Sequence, residues 1–136
     1  MTSTTPLIAI VDDEEPICRA LGRLIRSAHL DAETFPSGGE FLETISDRRP
    51  DCVVLDLHMP KVDGFRVQEW LAQAGLRIPV IAITGRDTPE TRARALENGA
   101  FAYFRKPVDG EALLDAIAAA IGHPKKNGRG NPETTQ

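Results

Sequence analysis

Asp56 follows the apolar run Val53-Val54-Leu55 and precedes Leu57-His58-Met59-Pro60, so a strand would end on a carboxylate. Three more apolar runs stop at polar groups: Leu7–Val11 at Asp12-Asp13, Pro79–Ile83 at Thr84, and Phe101–Phe104 at Arg105-Lys106-Pro107. If these runs are parallel strands of one sheet, all four sets emerge on one edge, where open α/β folds hold their ligands. Three carboxylates gathered there repel one another unless a cation lies among them. Hard oxygen ligands that leave room for water suit Mg²⁺, with Mn²⁺ as a substitute. Asp56 is then the candidate nucleophile, because a carboxylate can take a phosphoryl group as an acyl phosphate when a metal and a cation offset the incoming charge. Lys106 offers a mobile point charge, and Thr84 a hydroxyl that can donate to a phosphoryl oxygen.

Each residue has a plainer reading by itself. Asp-Asp pairs cap helices, an isolated aspartate after a strand is commonly an N-cap, and a lone Thr or Lys is usually a loop residue. Their combination at four strand ends favours the chemical reading. Tyr103, three residues before Lys106, is either a packed aromatic with a wet hydroxyl or a rotamer switch. Pro107 biases Lys106 toward extended geometry and permits a cis bond. His29, His58 and His123 are scattered and lack paired ligand spacing.

The 136 residues suit one domain with one core, and 41% hydrophobic content is ordinary for a globular chain. A net charge of -4 and a pI near 5.4 argue against bulk binding to nucleic acid or anionic lipid. No apolar run is long enough to span a bilayer, and Met1–Pro6 has no signal-peptide character. Cys18 and Cys52 lack metal-ligand spacing and read as small packed hydrophobes, which makes the cytoplasm the expected compartment.

Strand-like runs alternate with helical patterns, the sequence form of a parallel sheet covered on both faces. The order predicted is β1 (Leu7–Val11), α1 (Glu14–Ala28), β2 (Asp31–Phe35), α2 (Gly38–Ile45), β3 (Cys52–Leu55), α3 (Gly64–Ala74), β4 (Pro79–Ile83), α4 (Pro89–Asn98), β5 (Phe101–Phe104) and α5 (Gly110–Ile121). Ile17, Leu21, Leu24 and Ala28 give α1 one apolar face, and Ser37 with Glu40 forms a capping box for α2. Thr88-Pro89-Glu90 starts α4 and Asp109 can cap α5. The only sizeable aliphatic side chain of α4 is Leu96, so this helix is expected to be weakly held and suited to movement, or else merely solvated and helped by a Glu90–Arg94 pair. Residues 1–6 form a short lead, 7–122 the folded domain, and 123–136 a flexible tail whose Lys125, Lys126 and Arg129 are read as solubilising.

With these residues in hand, the chain resembles the receiver domain of bacterial two-component response regulators from about Leu7 to Ile121. The likeness rests on Val11-Asp12-Asp13-Glu14, Asp56-Leu57-His58-Met59-Pro60 with Asp63-Gly64, Ile83-Thr84-Gly85, and Gly99-Ala100-Phe101 through Tyr103-Phe104-Arg105-Lys106-Pro107. It implies a flavodoxin-like, doubly wound (βα)5 three-layer sandwich with sheet order 2-1-3-4-5. It also implies that Asp56 accepts phosphate from a phosphohistidine on a sensor histidine kinase or histidine phosphotransfer protein. Asp13 and Asp56 would bind Mg²⁺ directly, Asp12 through water, and the His58 backbone carbonyl would complete the protein ligands. Lys106 and Thr84 would contact phosphoryl oxygens, Thr84 and Tyr103 would shift, and the α4-β5-α5 face would change its affinity for a downstream protein. The variable positions His58 and Arg86 would tune phosphorylation and dephosphorylation rates.

The reading that follows is a stand-alone, single-domain switch, monomeric or weakly dimeric on phosphorylation, with no direct contact to nucleic acid or membrane and no enzymatic turnover beyond its own phosphorylation and dephosphorylation. Two alternatives are weighed against it. The chain could be the receiver of a longer DNA-binding transcriptional regulator. An aspartyl-phosphate phosphatase is disfavoured, since such enzymes usually need a second Asp where His58 stands and a cap insertion for which no loop is long enough.

Overall fold

A computed structural model describes residues 5–122; residues 1–4 of the short lead and the tail assigned to 123–136 lie outside the described residues. Strands β1 (Leu7–Val11), β2 (Asp31–Phe35), β3 (Cys52–Asp56), β4 (Val80–Thr84) and β5 (Ala102–Arg105) alternate with α1 (Glu15–Ser27), α2 (Gly38–Thr44), α3 (Gly64–Gln73), α4 (Pro89–Glu97) and α5 (Gly110–Ala120). All neighbours pair in parallel, in the order β2-β1-β3-β4-β5. This is the flavodoxin-like order expected from the sequence.

The period of two along each strand divides the core. Ile8, Ile10, Val54, Ile81 and Ile83 pack with Leu21 and Ile25 of α1 and Leu113 and Ile117 of α5. Ala9, Val11, Val53 and Leu55 point the other way, onto Phe41 of α2 and Val67 and Leu71 of α3. Burial on both faces is why these strands read as unbroken apolar runs. The edge strand β2 differs: Phe35 alone is buried, and Asp31 and Glu33 keep the free edge charged.

Three strands run one residue past the ends expected from hydrophobicity. Asp56 pairs with Ile83 and Thr84 with Arg105, so the parallel ladder carries the polar residues with it. It continues as Leu57 N–H donates to the Ile83 carbonyl (3.0 Å) and Lys106 N–H to the Thr84 carbonyl (2.8 Å). Pro79 falls outside β4: its carbonyl accepts from Val53 N–H (3.0 Å), but it has no N–H of its own for the ladder. All five helices end one residue earlier than predicted, and Glu14 is the N-cap of α1 instead of its first residue. The expected caps of α2, α4 and α5 form, with Ser37, Thr88 and Asp109 accepting first-turn N–H groups.

Two features set the site apart from the sheet. Gly64 opens α3 hard against the end of β3: a Cβ there would lie 2.5 Å from the Asp56 carbonyl oxygen and 2.8 Å from Leu57 Cα. Only glycine allows the 57–63 loop to fold back this closely. Helix α4 buries Ala95 alone, and Leu96 is 44% exposed. Arg94 does not pair with Glu90; it reaches Glu69 of α3 (3.8 Å) and lies over the Phe65 ring (4.1 Å). Ala95 packs with Leu57, Phe65 and Ala82, and a polar clamp is added beside it: buried Gln68 donates from Nε2 to the Ala95 carbonyl (3.0 Å) and accepts from Asn98 Nδ2 (3.4 Å).

Candidate metal and phosphoryl site

Asp12 leaves β1 while its N–H still donates to the Phe35 carbonyl (3.0 Å), which fixes its backbone and drives its side chain into the buried end of the sheet. Its Oδ1 accepts from Glu14 N–H (2.8 Å). Its Oδ2 lies 2.9 Å from Lys106 Nζ and has no other partner among the described residues. Asp13, exposed, and Asp56, buried, bring carboxylate oxygens to within 4.8 Å of it and of one another. Lys106 Nζ also stands 3.5 Å from Asp56 Oδ1 and 3.4 Å from Glu14 Oε1, and the Lys106–Pro107 bond is cis.

The crowding shows in proton affinities. Burial, then the neighbouring Asp12 carboxylate, pushes Asp56 from an ordinary 3.8 up to about 7, against the pull of Lys106 and of His58 N–H. Asp12 is also raised, chiefly by burial. Burial alone would lower Lys106, but Asp12, Asp56 and Glu14 outweigh it and hold the ammonium above its usual value. A buried carboxylate oxygen held by Lys106 alone, in a pocket where Asp12 and Asp56 resist ionisation, is what a divalent cation would relieve. The donor set therefore fits a hard cation such as Mg²⁺.

Thr84 is fully buried at the end of β4, and its hydroxyl is already engaged. Oγ1 accepts from Arg86 N–H (2.9 Å) and lies 2.9 Å from His58 Nδ1. The imidazole stands edge-on to Phe65 (5.9 Å between centroids), and burial with the nearby Arg86 charge holds its pKa below the usual value. Tyr103 stands apart from the carboxylates. Its hydroxyl donates to Asp87 Oδ1 (2.9 Å), Arg92 lies over its ring (5.2 Å), and burial with Asp87 pushes its pKa up to about 12.

The structure thus gathers Asp12, Asp13, Asp56 and Lys106, sets Thr84 beside them but bonded to His58, and places Tyr103 and the exposed Arg86 side chain on the β4–α4 side. Three participants escaped the sequence reading. Nothing in a Glu14 beside two aspartates tells that it reaches a lysine 92 residues away, and nothing marks Asp87 as the partner of Tyr103. Gln68 did leave a signal, as a polar residue in the inward stripe Phe65, Gln68, Leu71.

A doubly wound sheet with an acidic cluster and a lysine at its carboxyl edge defines a class of phosphoryl- and metal-handling domains, and the comparisons narrow it. The response regulator receiver domain matches residues 8–118, and the chain belongs to that family. Response regulator protein TodT of Pseudomonas putida is 36% identical over 121 residues, which cover 89% of this chain and 53% of TodT. The DNA-binding transcriptional regulator NtrC of Escherichia coli is 32% identical over 117 residues, 86% of this chain and 25% of NtrC. A solved response regulator receiver protein from Burkholderia phymatum superposes with a TM-score of 0.78 at 42% identity, covering 87% of this chain and 96% of that one. The chain spans about half the length of TodT and a quarter of NtrC. Receiver domains of response regulators act generally as signalling switches. Among the described residues no helix is long and apolar enough to cross a membrane.

Proposed function

We propose that Asp56 is the phosphoacceptor of a two-component switch, taking its phosphoryl group from a histidine of a sensor kinase or phosphotransfer protein in the cytoplasm. The observation that carries this reading is Lys106 Nζ set between Asp12 Oδ2 and Asp56 Oδ1, at 2.9 and 3.5 Å, among three clustered carboxylates. In the transfer the donor's N–P bond breaks and a P–O bond forms to Asp56, leaving a mixed anhydride that water later hydrolyses. Asp12, Asp13 and Asp56, with the His58 backbone carbonyl, are the groups that would hold Mg²⁺; when bound, it supplies positive charge against the phosphoryl oxygens. Lys106 exchanges its contact with Asp56 for one with the phosphoryl group, and Thr84 donates to a second oxygen. Tyr103 gives up Asp87 as the α4-β5-α5 face changes shape for a downstream protein. His58 and Arg86, flanking the approach to Asp56, set how quickly the group is lost.

The test is intact-mass spectrometry after incubation with a small phosphodonor and Mg²⁺. Wild type gains one phosphoryl group and Asp56→Asn gains none; a phosphoryl group that persists in the variant overturns the reading. A second reading, favoured by the greater length of TodT and NtrC, makes this the receiver of a longer regulator with a DNA-binding output. The length of the native reading frame decides between this and a stand-alone, single-domain receiver.

A further inference from the structure

We propose that the His58 imidazole is a latch on the switch hydroxyl: its Nδ1 holds the Thr84 proton, and the phosphoryl group must take that proton away before Thr84 can serve it. The proposal rests on Asp56 as phosphoacceptor and adds a regulating contact to the same site.

A threonine hydroxyl has one proton to donate and two lone pairs that accept. Arg86 N–H, 2.9 Å away, fills one lone pair. The remaining partner among the described residues is His58 Nδ1, also at 2.9 Å, and Thr84 is wholly buried. If Nδ1 carried a proton, Thr84 would receive two donors while its own proton had no acceptor, an arrangement buried polar groups rarely adopt. If Nδ1 is bare, every group is satisfied. The ring's Nε2–H is then free to point outward, and His58 is only half-buried. The edge-on contact with Phe65 at 5.9 Å holds the ring in this pose. The single proton that a phosphoryl oxygen would need from Thr84 is thereby committed to His58. Binding at Asp56 is reduced by the fraction of molecules in which the latch is closed.

Two measurements test this. Long-range proton–nitrogen NMR of the metal-free, unphosphorylated protein separates a bare imidazole nitrogen from a protonated one. Nδ1 is expected bare and Nε2 protonated; a protonated Nδ1 overturns the latch. His58→Phe keeps the ring and its Phe65 contact but removes the acceptor. With Mg²⁺ present, its affinity for beryllofluoride, a phosphoryl mimic, should rise roughly two- to ten-fold, the range set by one neutral hydrogen bond. In a Thr84→Val background the same substitution should change nothing, which separates a latch on Thr84 from simple shielding of Asp56. Unchanged affinity in the single variant, or an equal gain in both backgrounds, overturns the proposal. If wild type neither binds the mimic nor gains phosphoryl mass, the phosphoacceptor reading fails, and the imidazole spectrum still decides whether the latch bond exists.

Discussion

Replacing Asp56 by Asn removes the charge that the metal-free fold tolerates least, so the variant should be the more stable protein when Mg²⁺ is chelated. The Asp56 carboxyl titrates near 7 in the fold against 3.8 ordinarily, so the folded state binds the extra proton between these values and stability falls as pH rises through that window. At about 1.36 kcal/mol for each tenfold change in proton affinity, the full penalty above pH 7 is roughly 4 kcal/mol, and at pH 5 it is less than half of that. Relaxation around the charge reduces both figures, so Asp56→Asn should gain about 2–4 kcal/mol at pH 8 and about 1 kcal/mol at pH 5. Lys106, raised above its ordinary 10.5, contributes stability that is lost only above that value and stays constant across this range. The assay is denaturant unfolding in EDTA at the two pH values, followed by the same measurement in excess Mg²⁺. There wild type gains about 2.7 kcal/mol at a hundredfold excess over Kd while the variant, short of one ligand, gains less. A variant no more stable than wild type in EDTA at pH 8, or a gain independent of pH, would refute the electrostatic account of the pocket.

Two further perturbations probe the parts that hold the pocket in place. Gly64→Ala pushes a methyl group into the Asp56 carbonyl and Leu57 Cα, backbone atoms that cannot turn aside, and should destabilise by about 3 kcal/mol in denaturant unfolding while weakening Mg²⁺ binding through displacement of the 57–63 loop. Gln68→Met keeps the volume but removes the two hydrogen bonds to the Ala95 carbonyl and Asn98; global stability should fall by only about 1 kcal/mol, with amide exchange rising selectively in α4.

How far the sequence carried the fold follows from which forces set each part. The sheet was legible because both faces of β1, β3 and β4 are buried, so hydrophobicity marks them without ambiguity. Their ends were not, because Asp56, Thr84 and Arg105 remain in the ladder through backbone pairing that side-chain character does not report. The four residues nearest the proposed chemistry, Asp12, Asp13, Asp56 and Lys106, could be read because strand ends converge in a parallel sheet. The bonds made by polar side chains could not: Tyr103 to Asp87, Gln68 to the Ala95 carbonyl, His58 to Thr84 and Lys106 to Glu14 all span turns or helices whose relative placement only the fold provides. The scarcity of apolar anchors on α4 was legible in its composition: Ala95 is its one buried residue, Leu96 is 44% exposed, and Gln68 adds a polar clamp beside the Ala95 packing.

The distribution of these bonds bears on where a phosphoryl signal can travel. Around Asp56 the sheet is closed by Ile83, Leu55 and Val54, all fully buried, and moving any of them would forfeit burial worth about 1.5–3 kcal/mol per side chain. On the β4–α4 side the holding contacts are different in kind. Beside the small apolar cluster of Leu57, Phe65, Ala82 and Ala95, they include His58 to Thr84, Tyr103 to Asp87 and Gln68 to Ala95, single hydrogen bonds each with a net worth of about 1 kcal/mol. If Lys106 and Thr84 turn to phosphoryl oxygens as proposed, charge-assisted bonds of about 1.5–3 kcal/mol each compete with contacts of this size without disturbing the core. On the proposed reading, rearrangement would follow the polar contacts from Thr84 through the β4–α4 connection to Tyr103 and α4, with β1, β3 and their covering helices as the fixed frame.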